Sequence, residues 1–250
     1  MRQLVPTHVP DVDPVTAYSD MPAAVGRPGV RLNMVASLDG ATSVGGGSGP
    51  LSGPPDRVVY RLLRSLTDVV LVAAGTARTE NYKPALVYDE YVEARRARGQ
   101  SDAPRLAVVS RSLELDWQLP LFQDAVEPTI VITSADAPAA GLAAAREVCD
   151  VIAVGEGSVD LPAALSALAD RGVRHVLAEG GPSLNGALAE ANLIDELCLT
   201  ISPFLAGGDA KRILSGPDLP GPISMELRSV LEAEGFLLTR YRTVRSAPLT

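Results

Sequence analysis

The chain has 250 residues, 46% of them hydrophobic, and a formal net charge of −8. This length suits one large α/β domain, or one domain with an extension, with enough apolar material for a core. The acidic balance argues against a nucleic-acid partner, because binding a phosphate backbone needs a basic face. No apolar run approaches the roughly eighteen residues of a membrane span and no signal peptide is visible, so we expect a cytoplasmic protein without a membrane partner.

The residues that most often bind metals are few. Cys149 and Cys198 are the two cysteines, each within an apolar stretch, and neither belongs to a Cys-x-x-Cys or Cys/His pattern. We therefore expect both to be small buried side chains and predict neither a disulfide nor a metal site. His8 lies in a proline-rich segment and His175 in an apolar run, so both are predicted to be structural.

The predicted elements begin with a proline-rich segment over residues 1–29. Five prolines interrupt it, and proline lacks the amide that helices and central strands need. We predict an extended arm over residues 1–29 and a single domain over residues 30–250. Farther along, the basic run from Arg95 to Arg98 precedes Gly99, so it is interpreted as the solvated end of a helix.

From residue 30 onward, short apolar runs alternate with segments of helical periodicity. Strands are predicted at residues 30–36, 68–74, 105–109, 129–133, 151–154, 173–178 and 196–201. Helices are predicted at residues 56–65, 136–147, 161–171 and 183–191. Residues 225–232 and 235–242 form a closing antiparallel pair around a Glu-Gly turn. The pattern indicates an α/β fold with a mainly parallel central sheet, helices on both faces and an antiparallel C-terminal edge.

The strongest local motif lies between a predicted strand and the helix that follows it, and reads Glu179, Gly180, Gly181, Pro182, Ser183 and Leu184. Two glycines allow a sharp turn and a close approach to a ligand. The helix start exposes free amides and a positive dipole end, which suit a pyrophosphate at the carboxyl edge of a sheet. A plain tight turn explains the same residues equally well. No Gly-x-Gly-x-x-Gly follows the first strand, which disfavours an ordinary Rossmann dehydrogenase.

Several other strand ends carry residues that could contact a dinucleotide, namely Ala74, Gly75, Thr76, Ser110, Arg111, Thr133 and Gly155. Arginine offers planar multiple donors to phosphate oxygens, so the Ser110–Arg111 pair is suited to a 2′-phosphate. Ordinary loop geometry and a solvated arginine are the alternatives. Because glycine-bearing strand ends recur in one sheet, a dinucleotide groove is favoured.

Two carboxylates are candidate catalytic groups. Asp39 closes the first predicted strand, where capping a turn is the alternative. Asp56 begins a helix, where its charge suits the dipole. The same carboxylate could accept two hydrogen bonds from an amidine-like ring edge. The sequence has no recognisable triad, zinc-protease motif or P-loop, which fits hydride transfer because there the cofactor carries the chemistry.

Five separated motifs resemble the reductase domain of the riboflavin-biosynthesis deaminase–reductase family, in order over about residues 30–242. They occupy residues 33–40, 61–64, 75–76, 179–182 and 201–208. The resemblance implies a dihydrofolate-reductase-like fold, NADPH as hydride donor and a homodimer. It implies reduction of 5-amino-6-(5-phosphoribosylamino)uracil from ribosyl to ribityl. The deaminase half is absent from this chain, so it resembles a stand-alone reductase.

The resemblance also implies roles for individual residues. The cofactor groove would use Gly75, Thr76, Ser110 and Arg111 together with the Glu179–Leu184 motif. The substrate side would use Asn33, Ala36, Ser37, Ser52, Arg64 and Pro203, beside Asp39 and Asp56. Many bacterial members have lysine at the position of Asn33. The family's substrate-phosphate arginine is also missing after Thr76, with Arg78 or Lys83 as possible replacements.

Two alternative functions remain open. The region is also similar to dihydrofolate reductase, in which an acidic residue at a helix start holds the pterin. Asp56 follows Gly53-Pro54-Pro55 at the equivalent place, so dihydrofolate is a second candidate substrate for the same site. The other alternative is a non-catalytic NADPH-binding protein.

Overall fold

The computed structural model describes residues 1–245. Its strands are β1 Arg2–Val5, β2 Gly29–Ala36, β3 Val69–Ala73, β4 Arg105–Val109, β5 Ile130–Thr133, β6 Asp150–Ala153, β7 His175–Ala178, β8 Glu196–Ile201, β9 Met225–Ala233 and β10 Phe236–Thr243. Its helices are α1 Pro14–Tyr18, α2 Pro54–Leu66, α3 Ala74–Thr79, α4 Asp89–Ala97, α5 Pro120–Gln123, α6 Ala139–Val148, α7 Leu161–Ala169 and α8 Pro182–Glu190.

All ten strands form one sheet in the order β1-β9-β10-β8-β2-β7-β3-β4-β5-β6. The strands from β8 through β6 in that order are parallel. The strands β10, β9 and β1 continue the sheet in antiparallel fashion. The predicted α/β class, with a mainly parallel sheet and an antiparallel C-terminal edge, is confirmed. The parallel arrangement brings the carboxyl ends of β2, β7 and β3 to one edge.

The two faces of the sheet are covered by separate apolar clusters. On one face α2 contributes Val59, Leu62, Leu63 and Leu66, which recur at helical spacing and pack against β3 and β4. On the other face α7 and α8 bury their leucines against β2, β5 and β7. Because α2 buries only one side, its other side is left free to form a wall of a cleft. The central strands are buried on both faces, as continuous apolar runs predict.

The prediction of an extended arm over residues 1–29 is wrong for two segments. Strand β1 pairs with β9 at the sheet edge, where a strand needs only one neighbour. Helix α1 begins at Pro14, whose missing amide costs nothing at a first helical position, and the Asp13 side chain accepts the Val15 amide at 2.9 Å. Tyr18 is only 1% exposed, so the segment packs into the core.

A buried group of charges, which we call the inner ion cluster, ties this segment to the sheet. It consists of Arg31, Glu196 and Arg240. Arg31 donates to Glu196, and Arg240 Nε donates to the same carboxylate at 2.9 Å. The two guanidinium groups also donate to the backbone carbonyls of Tyr18 and Asp20 at 2.7 to 3.1 Å. The two guanidinium groups therefore share the Glu196 carboxylate, and backbone carbonyls together with the Asp20 side chain accept from their other donors.

The interpretation of the Arg95–Arg98 run as solvated is wrong for its first member. Arg95 is fully buried. Its Nη1 donates to the carbonyls of Ser65 and Thr67 at 3.0 and 2.7 Å, and its Nε donates to Ser101 at 2.7 Å. The last carbonyls of a helix lack intrahelical donors, so this guanidinium completes the end of α2.

The two cysteines are free and buried, as predicted. Burial raises the pKa of Cys149 to about 11 and that of Cys198 to about 12, so neither thiol is reactive at neutral pH. Among residues 1–245, no helix is long and apolar enough to cross a membrane.

Candidate functional site

A cleft of about 1470 Å³ opens at the shared carboxyl edge of β2, β7 and β3. Its floor includes Asn33 and Met34 of β2 and Ala73 of β3, and α2 forms one wall. The glycine-rich loop before α2, the loop between α3 and α4, and residues 209–211 complete the rim. Sites for one small molecule usually measure roughly 300–1,000 Å³, so this cleft has room for two ligands side by side.

Two helix starts converge on one side of the cleft. Helix α8 follows β7, and α3 follows the neighbouring strand β3. The Ala73 amide donates to the Gly180 carbonyl at 2.7 Å and joins the two strand ends. In α8 the Asn185 amide donates to Gly181 at 3.0 Å, so the amides of Ser183 and Leu184 precede that hydrogen bond. Amides at helix starts lack intrahelical acceptors and favour anions.

The glycines of this turn allow a close approach of neighbouring groups that a side chain would prevent. A Cβ placed on Gly181 would overlap the hydroxyl of Thr76, which lines the cleft. Gly180 has a φ of +90°, a conformation that other residues rarely adopt. Gly75, Pro182 and the helix start at Ser183–Leu184 line the same region. The structure therefore gathers the Glu179–Leu184 motif and the Gly75–Thr76 pair at one place.

Other predicted cofactor residues lie outside the lining of the cleft. Ser110 is buried and its hydroxyl accepts the Leu113 amide at 3.2 Å, which closes a loop after β4. Thr133 is fully buried within β5. A Cβ on Gly155 would collide with the Ser158 carbonyl, so the turn itself requires this glycine. The loop-geometry alternative accounts for these three positions.

The last two predicted cofactor residues also point elsewhere. Arg111 is exposed beyond β4, and its Nη1 lies 3.4 Å from the Gly157 carbonyl. Ala74 begins α3 and faces a separate cavity of about 200 Å³ that Val108 and Phe122 help to line. Both stand at the same edge of the sheet as the cleft, but on the side of β4.

Asp56 lies in the first turn of α2 and faces the cleft. Gly53 precedes the helix and two prolines open it, so the carboxylate is presented at the helix start. Asp56 is only 7% exposed, and the Ser52 hydroxyl donates to its Oδ2 at 2.6 Å. No other side chain or amide of residues 1–245 donates to this carboxylate. A buried carboxylate with one oxygen free is suited to accept hydrogen bonds from a ring edge.

Asp39 occupies a different environment and does not line the cleft. It is exposed, and it accepts hydrogen bonds from the Ser37 hydroxyl and from the amides of Gly207 and Ala206, at 2.7 and 3.1 Å for the amides. These bonds, that of Ser37 foremost, lower the pKa of Asp39 to about 2. The geometry fits the turn-capping alternative, and the catalytic role predicted for Asp39 finds no support in it.

Some of the remaining predicted substrate residues line the cleft and others lie outside it. Asn33 lines the cleft from β2, as do Ser52 and Arg64. Ala36 and Ser37 are buried at the end of β2, where the Ala36 carbonyl accepts the Ser202 amide at 2.8 Å. Pro203 is exposed and packs beside Gly235, outside the cleft.

A second group of charges, the cleft ion cluster, consists of Arg64, Glu179, Tyr60 and Tyr82, all of which line the cleft. Arg64 Nε and Nη2 donate to the two oxygens of Glu179 at 2.8 and 2.7 Å. The Tyr82 hydroxyl donates to Glu179 at 2.7 Å. The guanidinium carbon of Arg64 lies 4.4 Å from the ring centre of Tyr60 and 5.4 Å from that of Tyr82. Arg64 is thus fixed by one carboxylate and two aromatic rings.

The protonation states of this cluster follow from burial and from one charge. Burial, followed by the nearby Glu179 carboxylate, raises the pKa of Tyr82 and of Tyr60 well above the ordinary value. Burial opposes the charge of Arg64, but Glu179 outweighs it and the pKa of Arg64 is raised. Arg64 is therefore charged and both phenols are neutral over the physiological pH range.

Several residues of the cleft were not identified from the sequence. They are Arg57, Tyr60, Arg61, Tyr82 and Lys211. The three arginines of α2, at positions 57, 61 and 64, are spaced four and three residues apart, which places them on one face of the helix. That spacing was a signal available in the sequence. The sequence carries no comparable signal for Tyr60 and Tyr82, because their proximity to Glu179 depends on the fold.

Comparison with known proteins gives consistent matches. The family model of the RibD C-terminal domain matches residues 28–235. The 2,5-diamino-6-ribosylamino-4(3H)-pyrimidinone 5′-phosphate reductase of Methanothermobacter thermautotrophicus is 29% identical over 206 residues, which cover 81% of this chain and 92% of that protein. The crystal structure of a pyrimidine reductase-like protein from Corynebacterium diphtheriae superposes with a TM-score of 0.81 and 26% identity, covering 94% of this chain and 96% of that one.

Dihydrofolate reductase from Enterococcus faecalis, solved in complex with NADP(H) and RAB-propyl, shares the fold. It superposes with a TM-score of 0.51 at 12% identity and covers 86% of this chain and 96% of that one. At this identity the likeness concerns the fold alone. The predicted dihydrofolate-reductase-like architecture is confirmed.

Proposed function

Because the chain belongs to the RibD C-terminal domain family, we propose that it is an NADPH-dependent reductase of a ribosylaminopyrimidine phosphate. The substrate is 5-amino-6-(5-phosphoribosylamino)uracil, whose ribosyl group is reduced to ribityl. The name of the Methanothermobacter relative points to the 2,5-diaminopyrimidinone as a second form to test. The observation that carries the proposal is the meeting of two helix starts and a glycine turn beside the buried carboxylate of Asp56.

The residues of the glycine side fit a dinucleotide. The close approach of the Thr76 hydroxyl to Gly181, together with amides at two helix starts, suits a pyrophosphate. Gly75, Thr76, Gly181 and Ser183 would hold the group. When bound, NADPH supplies the hydride. The chain contributes the positions of the two reacting rings.

On the other side, Asp56 orients the substrate ring. The Ser52 hydroxyl donates to Oδ2, so the remaining carboxylate oxygen is left to accept from a ring N–H or amino group. Asn33 also lines this cleft from β2, where its amide can contact the ligand. The cleft ion cluster borders the same space and fixes Arg64 in one orientation.

The direct test follows the loss of NADPH absorbance with each pyrimidine in turn. We expect oxidation that depends on one of them. Gly181→Ala should raise KM for NADPH at least about tenfold, because its Cβ competes for space with Thr76 and with the cofactor. Gly221→Ala is the matched control, since no atom lies near its added Cβ. Tight NADPH binding without turnover of any pyrimidine or pterin would instead support the non-catalytic alternative.

Dihydrofolate is the second candidate substrate, and Asp56 is the observation that favours it. A nearly buried carboxylate at a helix start can accept both the ring nitrogen proton and the 2-amino group of a pterin. If dihydrofolate is a substrate, Asp56→Asn should abolish most of its reduction. Asp89→Asn, at the rim of the same cleft, should not. Failure of dihydrofolate to accelerate NADPH oxidation removes this candidate.

We further propose a cytoplasmic homodimer. Leu38, Phe204 and Leu205 are exposed apolar side chains on two loops that are joined by the hydrogen bond from the Leu38 amide to the Phe204 carbonyl at 2.8 Å. Contiguous exposed apolar side chains are typical of contact surfaces. Leu205→Asp should shift the sedimentation coefficient from that of a dimer to that of a monomer, whereas an unchanged coefficient would place the contact elsewhere.

A further inference from the structure

Residues 206–215, which we call the strap, belong to the long connection between β8 and β9 and form neither helix nor strand. Residues 209–211 of the strap line the rim of the cleft. Near its first end, the Asp39 carboxylate accepts two backbone amides of the strap. Farther along, the Thr42 hydroxyl donates to the Lys211 carbonyl at 2.9 Å. Because the strap has no regular structure of its own, its position depends on tethers of this kind.

The far end of the strap is held by α8. The Asn185 side chain donates from Nδ2 to the Ile213 carbonyl at 2.8 Å. The Ser215 amide donates to the Pro182 carbonyl at 2.9 Å. A Cβ on Gly186 would lie 2.1 Å from the Ser215 carbonyl oxygen, so only glycine lets the strap approach the helix this closely. The strap therefore connects the loop between β2 and α2 with the start of α8.

Asn185 is an unfavourable residue for its position. It is fully buried in α8, although asparagine is a poor helix former. Within residues 1–245 its Oδ1 accepts no hydrogen bond, which lowers stability in a buried site. Its Nδ2 also lies 3.3 Å from the sulfur of Met34 and would lie 3.6 Å from a Cβ on Gly180. One side chain thus contacts the strap, the floor of the cleft and the glycine turn together.

We propose that Asn185 is a positioning residue that fixes the strap and, through it, the spacing between the two sides of the cleft. The inference rests on the proposed function, in which the start of α8 holds the dinucleotide and Asp56 holds the heterocycle. Hydride transfer needs the two rings in one geometry, and a displacement of about 1 Å can lower a rate about a hundredfold. Asn185 is buried behind the surface of the cleft, so it acts through the strap.

The test separates this role from a contribution to stability. Asn185→Leu keeps the shape of the side chain and removes its polar atoms. Because leucine favours a helix and leaves no buried oxygen unpaired, the midpoint of urea unfolding should not fall. For the substrate that the wild-type protein reduces, kcat should nevertheless fall about tenfold. Trypsin should cut after Lys211 or Arg212, identified by fragment mass, at least about fivefold faster than in the wild type.

A second variant tests the same contact without changing Asn185. Alanine in Gly186→Ala also favours the helix, but its Cβ displaces the Ser215 carbonyl, so kcat should fall and cleavage accelerate in the same way. Thr67→Val is the matched control. The buried Thr67 hydroxyl also donates to a backbone carbonyl, that of His175 at 2.8 Å, but at the amino ends of β3 and β7. It should lower the urea midpoint and leave kcat and strap cleavage unchanged.

Wild-type cleavage of the strap in Asn185→Leu and Gly186→Ala overturns the proposal. Unchanged kcat in a variant whose strap is cut faster does so too, as does a control that reproduces both losses. If Asn185→Leu does not fold, Gly186→Ala decides the outcome by the same two measurements. If the wild-type protein reduces no pyrimidine and no dihydrofolate, the proposed function fails instead, and the rate of trypsin cleavage alone decides whether Asn185 holds the strap.

Discussion

The inner ion cluster and the cleft ion cluster have the same chemistry and opposite surroundings. In each, a glutamate is held by arginine, at Glu196 in the first and Glu179 in the second. In the inner cluster Glu196 is fully buried, and the other N–H groups of the arginines donate to backbone carbonyls. In the cleft cluster the other partners are phenol groups, and the whole group borders a large open space.

The difference lies in what completes each pair. Backbone carbonyls close the inner cluster, so it has no capacity for a ligand. The cleft cluster leaves Nη1 of Arg64 free of Glu179, and the tyrosine rings hold that guanidinium at a fixed orientation beside the cleft. A buried ion pair is weak evidence of function by itself. The inner ion cluster and the cleft ion cluster differ in that only the second has access to a cleft.

The largest effect is expected at the inner cluster. Glu196→Gln removes the carboxylate that pairs Arg31 with Arg240 and leaves their charges buried. We expect the free energy of unfolding in urea to fall by about 3–5 kcal/mol, with little change in turnover per folded molecule. Glu226→Gln, which breaks an exposed pair with Arg228, is the control and should cost no more than about 1 kcal/mol. A small loss of unfolding free energy in Glu196→Gln would contradict the contrast between the two ion clusters.

The same substitution at the cleft cluster should act mainly on activity. Glu179→Gln releases Arg64 from its fixed orientation, so kcat/KM should fall about a hundredfold. The unfolding free energy should fall by about 1–3 kcal/mol, because one side of this pair faces the cleft. Glu190→Gln, at the exposed end of α8, provides the control. Full activity in Glu179→Gln would show that this cluster, too, is only structural.

A smaller effect is expected from the phenol that completes the cleft cluster. Tyr82→Phe keeps the ring beside Arg64 but removes the hydrogen bond to Glu179. The loss of about 1 kcal/mol should lower kcat/KM about fivefold. Tyr241→Phe, on β10, tests whether removing any partly buried phenol has this effect. If the two variants behave alike in steady-state assays, Tyr82 has no special part in holding the pair.

The smallest effect concerns His175, whose environment includes Arg31 of the inner cluster. Burial lowers the pKa of His175 below its ordinary value of 6.5, so the unfolded chain takes up this proton more readily than the folded one. Stability should therefore decrease as the pH falls below about 6.5, until the folded-state pKa is reached. In His175→Gln, urea titrations at several pH values should show a flatter dependence over this window, with the pH profile of kcat unchanged.

Much of the fold was predictable because its main signals are local. Continuous apolar runs identified the parallel strands, and apolar residues at helical spacing identified α2. The segments that were missed, β1 and α1, depend on partners distant in sequence, since β1 needs the edge of β9 and α1 needs the inner ion cluster. Arg95 was misjudged for the same reason, because its acceptors belong to the end of α2.

The candidate site was predictable where it follows strand ends close to the centre of the sheet. Gly75, Thr76 and the Glu179–Leu184 motif follow β3 and β7, and they meet at the cleft. Ser110, Thr133 and Gly155 follow strands farther from it, and their side chains or turns are used locally. Ligands bind at the carboxyl ends of parallel strands, and this rule identifies the correct edge of the sheet. The position of the cleft along that edge depends on which helices leave space between them.

The pairing of β1 with β9 has a consequence for co-translational folding. Gln3 lies opposite Leu231, so the two strands of this ladder are far apart in the sequence. At roughly 5–20 residues per second, the first strand leaves the ribosome roughly 10–50 s before its neighbour exists. The outer edge of the sheet therefore cannot form on the ribosome until β9 has been synthesised. Until then β1 can pair only locally, as Gln3 does with Val9, and a chain arrested before residue 225 lacks the strand that β1 joins.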